Sequence, residues 1–428
     1  MKRSRFFWLT RLASIPAIHS IVLFLSVFGP ATITAMADND AGGVATLSVA
    51  GATLGYPILF ILPFLMILLG VTQEMGMRLT LVTRRGLADL IRERFGIKGS
   101  LIIFSTLIIA NLGTVTVDLS SVRVITSLFD LPVYPFMLLF IAVVFLVVTR
   151  GNYRLTQGIM LLSSVFYLTY IISAVKAKPD WGLALSNLVY PHGVEFTPEY
   201  LRSYLLIGLG VLGTMITPWG QFFISSFAYD KNIEAGKIIY SQLETYVGSF
   251  LTHFFSFFMI VATAATLYVN KIPLTSGESA AMAIEPFAGK LAGLLFGFGI
   301  LNAGFMGVIV VALSTAYAFS EFFGRSGSLD SNFKQSKSFY WIFILQILLA
   351  FAIGMIPGVS VFRMAIITQT INAIVLPLVF YYLIRLTSNP ELMGKYVNTR
   401  FQKWFAIVGT VAIFLASAVT LLAYILKI

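Results

Sequence analysis

Apolar runs about as long as a bilayer is thick follow one another along nearly the whole of this chain, and they leave few folds open to it. Inside hydrocarbon no water can satisfy a backbone N–H or C=O, so a spanning segment closes its hydrogen bonds within itself as a helix. At about 20 apolar residues per span, eleven runs qualify: 21–53, 56–80, 100–128, 132–149, 156–175, 201–228, 240–268, 287–322, 338–356, 361–385 and 403–426. The 428 residues are 58% hydrophobic and only 11% charged, against roughly 25% charged in a soluble domain. We expect an all-α polytopic membrane protein, residues 1–428 forming one transmembrane domain in the lipid bilayer of a cell (inner) membrane.

The net charge of +11 belongs to topology rather than to nucleic-acid binding. Most of the 29 Lys and Arg fall on alternate connections, the densest group being Arg84, Arg85, Arg92, Arg94 and Lys98. Positive residues mark the cytoplasmic side, which predicts a cytoplasmic N-terminus (1–20) and a C-terminus outside. Glu278 and Glu285 then read as solvated charges outside. A basic start followed by Ala35-Met36-Ala37 also has the look of a signal peptide. The Gly29-Pro30 interruption of its apolar stretch argues against that reading. There is no cysteine, which excludes disulfides and thiolate chemistry. Without a Cys nucleophile, a His cluster or an HExxH motif, an enzyme is not expected.

Two of the long runs are broken by polar residues. Ile21 to Ala37 is almost wholly apolar or small, then comes Asp38-Asn39-Asp40-Ala41-Gly42-Gly43, then a second apolar stretch from Val44 to Leu54. Carboxylates at membrane depth are costly unless they face water, protein or an ion. Glycine beside them lets a helix unwind and frees carbonyls. The sixth run carries Gly213-Thr214-Met215-Ile216-Thr217-Pro218-Trp219-Gly220-Gln221, where Pro218 removes a donor. The longest outside connection, 176–200, separates these two breaks, with five runs on its N-terminal side and five more after it before the last. Paired interruptions in corresponding runs are the sequence pointer to a binding site between inverted repeats. The halves are 21–175 and 201–385, with an eleventh helix at 403–426.

These residues resemble the Nramp family of divalent-metal transporters. The similar blocks are Gly29-Pro30 with Asp40-Ala41-Gly42-Gly43, then Val44-Ala45-Thr46 to Gly55-Tyr56, then Gln73-Glu74-Met75-Gly76-Met77-Arg78-Leu79. Val117-Asp118-Leu119, Asn302-Ala303-Gly304 and Gln369, eight residues before Pro377, extend the likeness over most of the chain. The resemblance implies a LeuT-like fold of two inverted five-helix repeats plus one helix. The departures matter as much. The family's first-helix Asn falls on Gly43, its Met-Pro-His on Thr217-Pro218-Trp219, and an acidic residue three after the helix-three Asp on Ser121. An all-oxygen, wider site replaces one holding a soft thioether, and this suits Mg²⁺, which keeps several waters, and also Mn²⁺. This is similar to the magnesium-transporting branch related to Nramp.

The expected metal ligands are Asp40, the carbonyls of Ala37 and Thr214, oxygen from Thr217, space or contact at Gly43, and Gln369. Asp118, Asp38 and Trp219 are expected along an ion or proton pathway. Each has a plainer reading: Asp40 as a helix cap, Thr217 bonded back to its own helix, Gln369 and Trp219 as packing, Asp118 paired with Arg123, and Asp38 facing a vestibule. His253, on an aromatic face, reads as a core histidine. None of His19, His192 and His253 sits at the sixth-run break, so import of Mg²⁺ and Mn²⁺ without proton coupling is expected. The alternatives are a proton-coupled Mn²⁺/Fe²⁺ importer and a sodium-coupled organic-solute symporter. No cofactor and no obligate protein partner are expected.

Overall fold

The computed structural model describes residues 16–274, 285, 289–356 and 361–426. Residues 1–15 of the expected cytoplasmic segment, and Glu278, lie outside the described residues. Among the described residues every regular element is helical. Ten of the described helices are long and apolar enough to cross a membrane, or up to eleven if one bent pair counts as a span.

The first run, expected as one span with one break, is three helices: α1 (Pro16–Val27), α2 (Pro30–Ala37) and α3 (Ala41–Leu54). The chain bends 52° between the first two. Gly29 makes this bend at φ 139°, a conformation side chains resist, and Pro30 then opens α2. The second break covers Asp38 to Asp40. A short 3₁₀ segment, Tyr56–Ile61, leads into α4 (Leu62–Thr83).

The run expected at 100–128 also needs correction. Helix α5 (Leu87–Leu119) begins earlier and kinks at Gly96, where φ is 78°; α6 (Ser121–Leu128) follows. The Ser120 hydroxyl bonds back to the Val117 carbonyl at 2.5 Å and separates the two. Next come α7 (Val133–Arg150), α8 (Tyr153–Val165) and α9 (Leu168–Lys176), the last two dividing the fifth expected run. A short helix, α10 (Trp181–Ser186), lies within the connection at 176–200.

The second half opens with α11 (Pro198–Met215) and α12 (Pro218–Asp230), parted at Ile216 and Thr217. It continues through α13 (Ile238–Thr263), α14 (Lys290–Phe322), α15 (Lys337–Gly354) and α16 (Val361–Thr387). A short α17 (Pro390–Met393) and α18 (Arg400–Leu426) complete the chain. Prolines at the first turns of α2, α11 and α12 cost no hydrogen bond there.

The broken helices are the innermost elements. Every residue of α2 is buried, and so are Pro218 to Ala228 of α12. Helix α13 packs along α2, α3 and α4, while α14 packs along α5 and α12. The outer helices turn apolar side chains outward instead, as Leu138, Leu146, Leu345 and Phe414 do. That inversion is what lipid permits and water does not.

Candidate metal site at two broken helices

Each break exists because a carbonyl lost the donor four residues on. At the second break the cause is covalent: Pro218 has no N–H to offer the Thr214 carbonyl. At the first the cause is tertiary. The Ala41 N–H, which would have paired with the Ala37 carbonyl, donates instead to Asp118 Oδ1 on α5 at 3.0 Å. Both carbonyls expected as ligands are therefore freed by identifiable groups.

The carboxylates are placed with equal definition. Asp40 caps α3, its Oδ1 accepting from the Gly43 N–H at 2.6 Å. Its Oδ2 is buried and accepts nothing, and the same holds for Asp118 Oδ2. The two residues share one wall, for a Cβ on Gly307 of α14 would collide with the Asp118 carboxylate and lie 2.8 Å from Asp40 Cβ. Asp40 is thus a cap through one oxygen and available through the other.

Asp38 does not face a vestibule. It is fully buried, and its Oδ1 accepts from Thr217 Oγ1 at 2.7 Å while Oδ2 accepts from Gln73 Nε2 at 3.4 Å. Thr217 in turn caps α12 by accepting from the Gly220 N–H at 3.1 Å. The Asp38–Thr217 bond ties the two breaks together. Thr214 Oγ1 adds a second tie, donating to the Asp38 carbonyl at 3.3 Å.

Gly43 meets that tie closely. A Cβ there would lie 2.6 Å from Thr214 Oγ1 and 2.7 Å from the Asp38 carbonyl. In this conformation the missing side chain makes room for Thr214 rather than for an open cage. Gln369 of α16 lies across the same junction, its Nε2 3.1 Å from a Cβ built on Gly42 and its carbonyl in the way of a Cβ on Gly213. Its Oε1 accepts from Asn372 Nδ2 at 2.8 Å.

Trp219 is fully buried one residue beyond Pro218, and its carbonyl accepts from Ser314 of α14 at 3.0 Å. Among the described residues no hydrogen bond links it to the aspartates. Arg123 donates to the Gly354 carbonyl at 3.2 Å, so the Asp118–Arg123 pair does not form. His253 bonds the Ser249 carbonyl of its own helix at 2.8 Å, as a core histidine would.

The unwound turn is held from outside as well. Tyr167 Oη donates to the carbonyls of Met36 and Asn39 at 3.0 and 2.9 Å, and Asn39 Nδ2 donates to Thr252 of α13. Met215, next to Thr214, turns its sulfur to Ser256 at 3.3 Å. Among the described residues no group of three or more His, Cys, Asp and Glu is disposed to hold a metal.

Two residues escaped the sequence reading as site residues. Gln73 sat in a recognised block with no role attached. Glu244 lies alone in the apolar α13, and the rule that flags a membrane carboxylate as functional applied to it as well. Its Oε1 accepts the N–H groups of Gly29, Ala31 and Thr32 at 2.7, 3.1 and 3.1 Å, capping α2 from across the bundle.

Solved structures share this architecture. One is a manganese transporter of Eremococcus coleocola, in complex with an aromatic bis-isothiourea compound; its TM-score is 0.77 at 18% identity, covering 93% of this chain and 86% of that one. Another is MhsT in complex with L-phenylalanine, with a TM-score of 0.61 at 12% identity, covering 94% and 97%. The fold is that of the LeuT-like transporters, two inverted five-helix repeats with an eleventh helix added. Within that class the sequence is decisive. Residues 31–423 match the family model described as natural resistance-associated macrophage protein-like, and the chain belongs to the Nramp family, whose members are transporters and not enzymes. Among its relatives is the divalent metal cation transporter MntH of Burkholderia ambifaria, 26% identical over 390 residues, covering 88% of this chain and 84% of the relative.

Proposed function

We propose that the protein imports divalent cations, Mg²⁺ foremost and Mn²⁺ as well, by alternating access and without stoichiometric proton movement. The observation that carries this reading is the donor set: two freed carbonyls and the unengaged Asp40 Oδ2 beside two broken helices, with the Met215 sulfur turned to Ser256 and the His253 ring to its own helix. Oxygen donors favour hard ions such as Mg²⁺ and Mn²⁺. So sparse a set of charged ligands favours an ion that keeps part of its water shell. The names of the relatives, MntH and a manganese transporter, support a divalent metal as cargo. Asp40, Ala37, Thr214 and Thr217 are the ligands in this reading. Gly43 admits the close approach of Thr214, Gln369 closes from α16, and Asp118 lies on the exit path with Asp38 and Trp219 beside it.

The sodium-coupled solute reading is weakened by the same geometry. Such a site presents free helix N-termini to a substrate anion, but here Asp118, Asp40 and Thr217 already occupy the N–H groups of Ala41, Gly43 and Gly220. We place the N-terminus in the cytoplasm and the C-terminus outside, on the distribution of Lys and Arg. The membrane potential then drives entry with about 4.6 kcal/mol per 100 mV for a divalent ion.

The test is uptake into proteoliposomes of Mg²⁺ and of Mn²⁺, with internal pH followed in parallel, for wild type and Asp40→Ala. Mg²⁺ entry that needs Asp40 and leaves pH unchanged is expected. Entry of Mn²⁺ alone, accompanied by protons, would instead establish a proton-coupled manganese importer.

A further inference from the structure

We propose that a cavity of about 670 Å³ between α5, α16 and α18 is a binding site for one anionic phospholipid. Its lining changes from basic to apolar along the helices, because Tyr381 lies one turn before Arg385 on α16 while Ile407 and Val411 lie one and two turns after Lys403 on α18. At one end stand three cations from three separate elements: Arg94, Arg385 and Lys403. At the other the wall is apolar and aromatic, made by Tyr381, Ile407 and Val411 among others. Tyr381 and Val411 are each half exposed on the outer surface, so the apolar end is continuous with the lipid-facing side of α16 and α18.

The positions of the cations fix their depth. Arg94 lies two residues before the Gly96 kink at which α5 turns, Arg385 is in the last turn of α16, and Lys403 is in the first turn of α18. All three therefore stand where spans begin or end, at the level of lipid phosphates, on the side from which the first span starts. Among the described residues the protein neutralises little of their charge. Among the described residues Arg385 and Lys403 form no ion pair, and Arg94 reaches only the exposed Glu391, at 4.0 Å. No carboxylate lines the cavity. Lys403 also sits at a helix N-terminus, where the macrodipole is already positive and a cation is disfavoured unless an anion is near.

A phosphodiester headgroup satisfies this end, each basic residue near the surface adding to the attraction. Acyl chains satisfy the other end. Free phosphate would use only half the cavity, which is why the occupant is a whole lipid. The site rests on the membrane depth of these spans and not on which ion is carried.

The test uses the full chain, purified in detergent, in native mass spectrometry and thermal unfolding. It compares phosphatidylglycerol with phosphatidylcholine of the same acyl chains, and with glycerol 3-phosphate. Wild type should retain one phosphatidylglycerol and gain thermal stability from it, with neither effect from phosphatidylcholine. Arg385→Gln with Lys403→Gln should lose that adduct, with apparent affinity down about tenfold or more. Arg385→Lys with Lys403→Arg should restore it, and Lys334→Gln with Lys337→Gln should leave it intact. Equal retention of the two lipids, an unchanged adduct in the glutamine variant, or full stabilisation by glycerol 3-phosphate would each overturn the proposal.

Discussion

Thr217 joins the two halves of the site through a single hydroxyl, donating to Asp38 and accepting from Gly220. Thr217→Ser should therefore keep both bonds and transport at near wild-type rate. Thr217→Met loses the cap, worth about 1 kcal/mol, and places a soft sulfur at the break. It should shift preference from Mg²⁺ toward the soft ion Cd²⁺ in competition uptake, and an unchanged order would show that Thr217 is no ligand. Gly307→Ala is the steric counterpart, since its Cβ would collide with the Asp118 carboxylate; we expect loss of transport with the protein still inserted and folded by size-exclusion profile. Asp40, Thr214 and Thr217 were legible because acid, hydroxyl and proline in an apolar run break its pattern locally. The bond from Ala41 to Asp118 was not, because it joins residues 77 positions apart. Nor was Asp38's burial, which depends on α4 and α12 closing over it.

At the level of elements, α2 is held at its start by three long-range contacts. Glu244 caps its N–H groups, Lys231 Nζ donates to the carbonyls of Val27 and Phe28, and Gln157 donates to Phe28 as well. Glu244→Ala strands buried N–H groups, each costing roughly 1–3 kcal/mol, and should lower the unfolding midpoint in detergent; Glu244→Gln, which keeps an acceptor oxygen, should lower it less. If both variants melt like wild type, the clasp does not hold α2. A second junction is made by Glu74 and Arg78 within α4. They pair at 2.7 Å, and Gln242 and Gln402 donate to Glu74 while Arg78 donates to Asn398 and to the Tyr396 carbonyl. Removing one partner of a buried pair costs about 3–5 kcal/mol, so Glu74→Ala should unfold far more readily than the Glu74→Ala, Arg78→Met double variant. The helices themselves were readable from length and hydropathy. The interruption at Gly29-Pro30 was readable too, but those at Gly96 and Ser120 were not, because a membrane run stays apolar through a kink.

For the whole molecule, the absence of cysteine offers a clean test of orientation. A single cysteine at Glu195, in the connection before α11, should react with a membrane-impermeant maleimide on intact cells. One at Ser326, after α14, should react only once the membrane is opened. The opposite pattern would invert the orientation proposed here.

The two interruptions differ in one mechanical respect. At Thr214 the missing donor is a proline nitrogen, and no rearrangement can supply it. At Ala37 the donor exists and is merely held elsewhere, by Asp118. The joint between α2 and α3 therefore depends on a side chain from another helix, while the joint between α11 and α12 is written into the covalent chain. One joint is thus pinned by a proline, and the other is clasped by an aspartate on a third helix.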